Sequence, residues 1–490
     1  MKYDYPDDSF ALHTDAYELS MMQTFWKQGM GNRRAVFEAF FRKMPFNNGY
    51  AVYVGLDHII RYIKNLHFTA SDIDYLKSTG QFDNDFLEYL RDFKFTGSLR
   101  SFEEGDFVFN HEPVLQIDAP IIEGQLVETA ILNILNYQIM VATKASRIRS
   151  VVGNQSVMEF GTRRAQEFDA SIWGTRAAYI GGFNATSNVR AGKLFGIPIS
   201  GTHAHALVQA YMSDYEAFKA YAQTHRDCVF LVDTFDTLKS GVPNAIRVAK
   251  EFGDQINFEG VRIDSGDMAY LSKRVRTMLD EAGFPDAKIF ASNGLDEKTI
   301  QNLKMQGAKI DVWGIGTKLI TAYDQPTLGA VYKMVSFENE DGEMVDTIKI
   351  SNNVGKMSTP GKKQVWRIND RLDGKSEGDY ITLADEDPRK LDSLNMFNPN
   401  FPLQQKDVSD FTARPMLKDI WKDGQFVYDE PSLEEIRDHR IASLAALWDE
   451  YKRDLNPEVY PVDLSKRCYD NKMELIHQVN KYVKGLSSKE

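Results

Sequence analysis

The stretch GVRIDSGD (Gly260–Asp267) is a short apolar run that ends in a polar turn containing glycine. The pattern recurs in SVMEFGTRR (156–164), IPISGTHAHA (197–206), CVFLVDTFDT (228–237), KIFASNGLDE (288–297) and DVWGIGTKL (311–319). Segments of roughly thirty residues with helical periodicity separate these runs. Repetition of strand, polar turn and helix predicts parallel α/β architecture. The spacing alone does not distinguish an α/β barrel from a doubly wound open sheet.

The polar turns all follow the predicted carboxyl ends of strands, where an α/β barrel builds its active site. In the first stretch, Arg262 and Asp264 alternate onto the same side of the strand. An arginine offers a planar fork for a carboxylate or a phosphate. Asp264 and Asp267 could accept hydroxyl groups of a sugar or hold a divalent metal through waters. This turn therefore predicts a site for a small anionic ligand.

Two further turns carry groups suited to phosphate. In DVWGIGTKL, small residues including Gly316 let backbone N–H groups approach a ligand, and Thr317 precedes a predicted helix. In EFGTRR, the aromatic Phe160 is followed by Arg163 and Arg164. Together the turns favour a phosphorylated sugar with additional acidic groups as the ligand.

The segment SGTHAHALVQ (200–209) places His203 and His205 one residue apart. Such a pair begins the metal site of some hydrolases, but zinc needs further ligands from other strands. None of the later histidines lies in a strand-end turn, which argues against a metal. Two satisfied histidines near a helix N-terminus remain the alternative to a functional site. The preceding Gly-Thr turn, a natural anion site at a helix entry, favours the functional interpretation.

Composition limits the class of protein. The 490 residues carry a formal charge of −12, which argues against general nucleic-acid binding. Apolar content of 43% predicts an ordinary folded chain, and two cysteines support neither a disulfide framework nor a zinc-thiolate site. The N-terminus lacks the features of a signal peptide and no 18-residue apolar run is found. We therefore expect a soluble cytoplasmic protein that binds no membrane.

Changes in the pattern of apolar, polar and charged residues along the chain predict three regions. Residues 1–139 combine helical patterns with the strand-like RAVFEAFFRK (34–43), as in a mixed α/β domain. Residues 140–337 hold the repeated strand–turn–helix units and the active site. Residues 338–490 form a C-terminal region with strand-like pieces and charged helices, which we expect to pack partly on the N-terminal domain.

One local resemblance is misleading. CVFLVDTFDTLKSG (228–241) is similar to the diphosphosugar-binding loop of type I phosphoribosyltransferases. That loop requires two adjacent acids for the ribose hydroxyls, whereas Thr234 and Phe235 separate Asp233 from Asp236, and the closing Gly-x-Thr is missing. The type I interpretation fails on this detail.

The ordered set EFGTRR, FNATSNV, GTHAHA, VDTFDT, VRIDSGD, SNGLDE and GIGTKL resembles the nicotinate phosphoribosyltransferase family. The resemblance extends from HTDAYELSM (13–21) through NYQIMVATKASRI (136–148) to about Val335, and the remainder fits the longer bacterial members more loosely. It implies a type II phosphoribosyltransferase fold: an irregular α/β barrel beside a mixed α/β N-terminal domain, with a C-terminal extension. It also implies a homodimer with shared active sites.

The resemblance assigns roles to individual residues. His205 matches the histidine that ATP phosphorylates. Thr202 and Arg262 match positions that contact nicotinate. Tyr17, from the other subunit, and Phe160 match the aromatic residues on the two faces of the pyridine ring. The remaining matched positions contact the phosphoribosyl group or place carboxylates near the base and ribose: Arg163, Asp233, Asp264, Asn293, Gly294, Gly316 and Thr317.

The resemblance also implies the reaction and its requirements. Nicotinate and phosphoribosyl pyrophosphate would give nicotinate mononucleotide and diphosphate in NAD salvage, with Mg²⁺ as cofactor and ATP as co-substrate. The sequence departs from the family pattern at Ala185, where glycine is expected, and at His203, where an apolar residue is expected. Neither change removes a chemical group, so tuning of the site is expected. Nicotinamide phosphoribosyltransferase, quinolinate phosphoribosyltransferase and an inactive metabolite-binding barrel are the alternatives.

Overall fold

The structure is a computed structural model that describes residues 9–350 and 357–487, with side chains to residue 484. Its α-helices are Ala16–Lys27 (α1), Leu56–Lys64 (α2), Ala70–Ser78 (α3), Asn84–Arg91 (α4), Ile121–Leu126 (α5), Glu128–Val152 (α6), Glu167–Ile180 (α7), Val189–Phe195 (α8), His205–Tyr211 (α9), Asp214–Thr224 (α10), Val242–Phe252 (α11), Met268–Glu281 (α12), Glu297–Met305 (α13), Thr317–Ile320 (α14), Leu433–Ala446 (α15) and Lys466–Ser487 (α16).

The first eleven β-strands are Arg34–Phe41 (β1), Ala51–Val52 (β2), Ser98–Ser101 (β3), Phe107–Val108 (β4), Leu115–Pro120 (β5), Ser156–Glu159 (β6), Ala185–Thr186 (β7), Asp227–Leu231 (β8), Asn257–Ile263 (β9), Lys288–Ser292 (β10) and Val312–Ile315 (β11). The later strands are Ala330–Glu338 (β12), Met344–Asp346 (β13), Lys363–Asp370 (β14), Ser376–Leu383 (β15), Ser393–Asn398 (β16), Phe401–Ser409 (β17), Phe411–Pro415 (β18), Lys418–Lys422 (β19), Gln425–Phe426 (β20) and Val462–Leu464 (β21).

The chain forms two compact units. The first combines the residues up to Met140 with those from Thr327 onward, and the second is Val141–Pro326. The predicted barrel region, 140–337, extends past the second unit into β12. This strand belongs to the first unit because it pairs along its length with β1.

The first unit is built on a seven-stranded sheet in the order β13-β12-β1-β5-β3-β19-β20. β19 comes from the C-terminal region and pairs antiparallel with β3, so that region completes the sheet begun by the N-terminal one. A four-stranded sheet, β18-β14-β15-β21, belongs to the C-terminal region. The segment SNNVGK at 351–356, within the predicted C-terminal region, lies outside the described residues.

The second unit is an irregular α/β barrel. Its six strands are all parallel, in the order β7-β6-β11-β10-β9-β8, and a bridge from Thr186 to Ile199 extends the sheet by one residue. Within 141–326 no ladder joins the Ile199 segment to β8, so the ring of hydrogen bonds stays open there. The barrel prediction is therefore confirmed, and the open seam is its irregularity.

Local sequence explains the barrel strands. Parallel strands covered on both faces are continuously apolar, and β8 and β11 are buried along almost their whole length. The acids that follow several strands cap the next helix: Asp267 accepts from Tyr270 N at 2.9 Å, and Asp296 accepts from Thr299 N at 2.7 Å. Asp267 therefore has a structural function that the sequence interpretation did not assign to it.

The segment Ile121–Val152 is long and apolar enough to cross a membrane by length and composition. Two-thirds of its most apolar window, 67%, is buried inside the fold. Burial of this kind is also typical of a helix in the core of a folded domain.

Candidate active site

A cavity of about 830 Å³ opens at the carboxyl ends of the barrel strands in the second unit. It is lined by Phe160, Thr162, Arg163, Arg164, Ser187, Gly201, Thr202, His203, Ala204, Arg262, Asp264, Ser292, Asn293, Gly294, Leu295, Gly314, Gly316, Thr317, Lys318 and Tyr323. Because parallel strands deliver their carboxyl ends to one edge, the turns singled out in the sequence converge here.

The aromatic wall of the cavity is Phe160, held between β6 and β11. Its backbone N–H donates to Ile315 O at 2.8 Å. A Cβ atom at Gly314 would lie 2.6 Å from the Phe160 ring, so glycine at this position makes room for the ring. The buried Glu159 carboxylate fixes the same turn, accepting from Thr175 Oγ1 at 2.9 Å, from Thr186 Oγ1 at 2.6 Å and from Gly161 N.

Arg262 is the cationic centre of the cavity. It donates from Nη1 to Thr202 Oγ1 at 3.0 Å and from Nη2 to the carbonyl oxygen of His203 at 3.3 Å. Its Nε atom is buried and has no hydrogen-bond partner. Burial lowers the pKa of Arg262, and the neighbouring Arg163 lowers it further, while Asp264 and Asp233 oppose the change. A carboxylate ligand would satisfy the free donor of this guanidinium.

Two carboxylates occupy the ends of β8 and β9. Asp233 Oδ2 accepts from Asp264 N at 3.0 Å and from Ser265 Oγ at 2.6 Å, and its buried Oδ1 has no hydrogen-bond partner. Asp264 Oδ1 accepts from Ser292 Oγ, and the Asp264 residue lines the cavity. Three strand ends, those of β8, β9 and β10, are thereby linked through serine, aspartate and backbone groups.

His205 begins α9 and faces both carboxylates. Its Nε2 lies 4.0 Å from Asp233 Oδ1 and 3.9 Å from Asp264 Oδ2. Its Nδ1 lies 3.0 Å from Thr234 Oγ1, and 38% of the side chain is exposed. A ring nitrogen flanked by two carboxylates favours a hydrogen at Nε2, which leaves Nδ1 as the acceptor toward the Thr234 hydroxyl.

His203 occupies a different environment from His205. Its ring packs at 5.1 Å from Tyr221 and 5.8 Å from Phe218, between centroids, and its Nε2 accepts from Leu231 N at 3.2 Å. Burial lowers its pKa to about 4, so the imidazole is neutral at pH 7. The two histidines therefore do not form a paired ligand set, despite their spacing.

The rim of the cavity is basic. Arg163 and Arg164 are exposed in a 3₁₀ turn, and neither has an ion-pair partner within the described residues. Asn293 and Gly294 both adopt positive φ, 78° and 68°, and both line the cavity. Gly316 and Thr317 lie at the start of α14. These groups suit an anionic ligand larger than a single carboxylate.

A network of buried ion pairs fixes two of the turns that line the cavity. Lys144 Nζ contacts Glu297 Oε2 at 2.9 Å and Asp324 Oδ2 at 2.7 Å, and Arg147 Nε contacts Glu297 Oε1 at 3.0 Å. Glu297 begins α13 just after the Asn293-Gly294 turn, and Asp324 follows α14. The network therefore fixes the two Gly-containing turns to α6.

The sequence analysis predicted most of the residues of this site but not all of them. Nine of the twelve predicted residues line the cavity, namely Phe160, Arg163, Thr202, Arg262, Asp264, Asn293, Gly294, Gly316 and Thr317. His205 and Asp233 lie directly behind Asp264. Ser292, Thr234 and Lys144 were missed, because a single serine, threonine or lysine carries no spacing signal of its own.

Tyr17 lies in the first unit, on α1, and its side chain is exposed to 50%. Burial of its hydroxyl and the nearby Glu128 and Glu18 raise its pKa to about 12. Glu18 next to it is buried and accepts from Gln125 Nε2 at 2.5 Å, and burial raises its pKa to about 7. The role of Tyr17 stays a prediction.

Three family models match the chain and together cover most of it. They describe the nicotinate phosphoribosyltransferase N-terminal domain (residues 12–136), the nicotinate phosphoribosyltransferase family (residues 155–374) and the nicotinate phosphoribosyltransferase C-terminal domain (residues 362–472).

Individual relatives match over nearly full length. Nicotinate phosphoribosyltransferase of Bacillus subtilis is 58% identical over 483 residues, which is 99% of this chain and 98% of the relative. The protein of the same name from Mus musculus is 30% identical over 93% of this chain and 95% of its own. The crystal structure of human nicotinic acid phosphoribosyltransferase is 28% identical and covers 94% of this chain and 99% of its own, with a TM-score of 0.84.

Proposed function

Because the chain belongs to the nicotinate phosphoribosyltransferase family of enzymes, we propose that it transfers phosphoribose from phosphoribosyl pyrophosphate to the ring nitrogen of nicotinate. The single observation that carries the substrate is Arg262, whose buried Nε has no partner in a cavity that also holds basic groups and an aromatic wall. The reaction needs little covalent chemistry from the protein, so positioning and electrostatics supply most of the acceleration.

Recognition of nicotinate rests on Arg262, Thr202 and Phe160. A guanidinium offers five N–H donors, and two are already held by Thr202 Oγ1 and the His203 carbonyl. These bonds orient the fork and leave donors for a carboxylate, whereas the amide of nicotinamide presents one neutral oxygen. Phe160 contacts one face of the pyridine ring, which adds on the order of 1 kcal/mol beyond burial.

The basic rim binds the phosphoribosyl pyrophosphate. Arg163 and Arg164 have no ion-pair partner of their own within the described residues, and backbone N–H groups at Asn293-Gly294 and Gly316-Thr317 border the same opening. When bound, Mg²⁺ would neutralise part of the charge of the leaving diphosphate. Asp264 and Asp233 fit that cation, because Asp264 is a carboxylate that lines the cavity and Asp233 has an Oδ1 without a hydrogen-bond partner.

Coupling to ATP rests on His205. Its Nδ1 attacks the γ-phosphorus of ATP, an N–P bond forms, and the P–O bond to ADP breaks. The Nε2 hydrogen is directed toward Asp233 and Asp264, whose charges stabilise the positive charge that develops on the ring. The phosphorylated ring would place negative charge beside the site for the diphosphate and its Mg²⁺. Hydrolysis of the phosphohistidine is coupled to synthesis and stimulates it.

The proposal includes a homodimer in which Tyr17 contacts the pyridine ring bound by the other subunit. The second unit exposes apolar side chains near the strand ends, including Phe168, Val189, Ile199, Met212 and Phe235. These apolar side chains would be covered if this part of the second unit contacted a second copy of the chain. We also place the enzyme in the cytoplasm, in NAD salvage, where nicotinate is returned to the pyridine nucleotide pool.

The test is product formation from phosphoribosyl pyrophosphate and Mg²⁺ with nicotinate, nicotinamide or quinolinate, each with and without ATP. Nicotinate turnover stimulated by ATP is the expected result. Turnover of nicotinamide alone would overturn the Arg262 argument, and no turnover of any pyridine would favour an inactive metabolite-binding barrel.

For the shared site, Tyr17→Ala and His205→Ala variants are mixed, and we expect hybrid dimers to recover part of the ATP-stimulated activity.

A further inference from the structure

The open seam of the barrel leaves one edge of β8 without a strand partner. Val232 N donates to Arg262 O at 3.1 Å on the β9 side. Successive N–H groups of a strand point to opposite edges, so Leu231 N–H points into the seam. A buried N–H group without an acceptor is costly, and Leu231 is fully buried.

The side chain of His203 supplies that acceptor. Its Nε2 lies 3.2 Å from Leu231 N, and the residue is 9% exposed. Because Nε2 accepts, the ring hydrogen is on Nδ1, which faces the Ala204 carbonyl at 3.4 Å. Within 141–326 no other hydrogen bond joins residues 200–204 to β8.

The backbone of the same residue holds Arg262. The His203 carbonyl accepts from Arg262 Nη2 at 3.3 Å, and the preceding Thr202 accepts from Nη1 at 3.0 Å. The segment that orients the guanidinium is bonded to β7 through Ser200 N and Thr186 O, and to β8 through the His203 imidazole alone. A shift of this segment would move both acceptors of Arg262 together.

We propose that His203 is a positioning residue for the pyridine carboxylate: its side chain closes the seam to β8, and its carbonyl then sets the orientation of Arg262. This role rests on the proposed function, because it presumes that Arg262 binds nicotinate. It differs from the role of His205, which concerns ATP. The neutral state that burial imposes on His203 keeps Nε2 available as an acceptor throughout the neutral pH range.

The test compares His203→Phe with His203→Gln. Phenylalanine keeps the packing against Phe218 and Tyr221 but has no acceptor, whereas the glutamine Oε1 is the same number of bonds from Cβ as Nε2. We expect H203F to raise the nicotinate KM about five- to tenfold and to lower the preference for nicotinate over nicotinamide, with the KM for phosphoribosyl pyrophosphate unchanged. H203Q should recover most of the wild-type nicotinate KM.

The matched control is His225→Phe, because His225 stacks on Tyr221 at 4.0 Å between centroids and is not one of the residues that accept hydrogen bonds from Arg262. If H203F does not fold, as judged by thermal unfolding, His203→Met replaces it, since the thioether is a poor acceptor. An unchanged nicotinate KM in a folded, acceptor-less variant, or equal KM values for the Phe and Gln variants, would overturn the inference. Failure of the wild-type protein to use nicotinate would instead overturn the proposed function.

Discussion

Arg262 donates a hydrogen bond of 3.0 Å from Nη1 to the hydroxyl oxygen of Thr202, which lies on a different turn of the barrel. The bond orients a guanidinium whose Nε still has no partner. Thr202 is thus an acceptor for the arginine, and both residues line the cavity in which we propose that the nicotinate carboxylate binds. Substitutions at Arg262 should therefore affect nicotinate more than any other substrate.

Arg262→Lys should raise the nicotinate KM by about ten- to a hundredfold, because a single ammonium cannot bind Thr202, the His203 carbonyl and a carboxylate at once. The measurement is steady-state kinetics with nicotinate varied. The KM for phosphoribosyl pyrophosphate serves as the internal control. An unchanged nicotinate KM would assign recognition of the carboxylate to another residue.

His205→Asn should abolish stimulation by ATP while ATP-independent transfer persists. The amide cannot act as the phosphoryl acceptor, but the binding groups around the cavity remain. Phosphorus NMR of the wild-type protein treated with ATP should show phosphorylation at Nδ1, because the two carboxylates face Nε2. Phosphate retained by the Asn variant, or attached to Nε2, would contradict this mechanism.

Gly314→Ala should weaken nicotinate binding through Phe160. The new Cβ atom would lie 2.6 Å from the ring, far inside van der Waals contact, so the ring must move. We expect a nicotinate KM raised several-fold with little change for phosphoribosyl pyrophosphate. Combining Gly314→Ala with Phe160→Leu should add little to the single Leu variant, and full additivity of the two effects would argue against this coupling.

Glu297→Ala should destabilise the barrel by about 3 kcal/mol, because Lys144 and Arg147 would lose their shared buried partner. Urea unfolding measures the loss. Glu281→Ala, an exposed position on α12, is the matched control and should change stability little. Equal effects of the two substitutions would show that the buried network contributes nothing beyond a surface charge.

Glu18→Gln should alter the pH dependence of stability. Burial raises the pKa of Glu18 from 4.5 to about 7, so the native state holds a proton that the unfolded chain releases earlier. The native state is therefore favoured below about pH 4.5, and this contribution is lost as the pH rises toward and through 7. We expect the Gln variant to melt higher than wild type at pH 8 but not at pH 4.5, with Glu88→Gln, exposed on α4, as the control.

The sequence by itself predicted the parallel strands and the turns that follow them. Buried parallel strands must be apolar and their polar ends meet at one edge, so the run from Gly260 to Asp267 already contained Arg262 and Asp264 in alternation. The resemblance added roles for His205 and Phe160, which the local motifs had already singled out. These features are local, and local periodicity and motif order are visible in a linear sequence.

Tertiary structure decided which strands pair and which side chains hold distant parts of the chain in place by hydrogen bonds and ion pairs. The membership of β12 in the first unit depends on pairing with β1, almost three hundred residues earlier along the chain. Only the fold shows that Asp267 caps a helix, that Lys144 lies behind two distant turns, and that His203 and His205 face different partners. Each of these depends on contacts between segments far apart in sequence. No local sequence pattern encodes the register of such strand pairs or the position of the open seam.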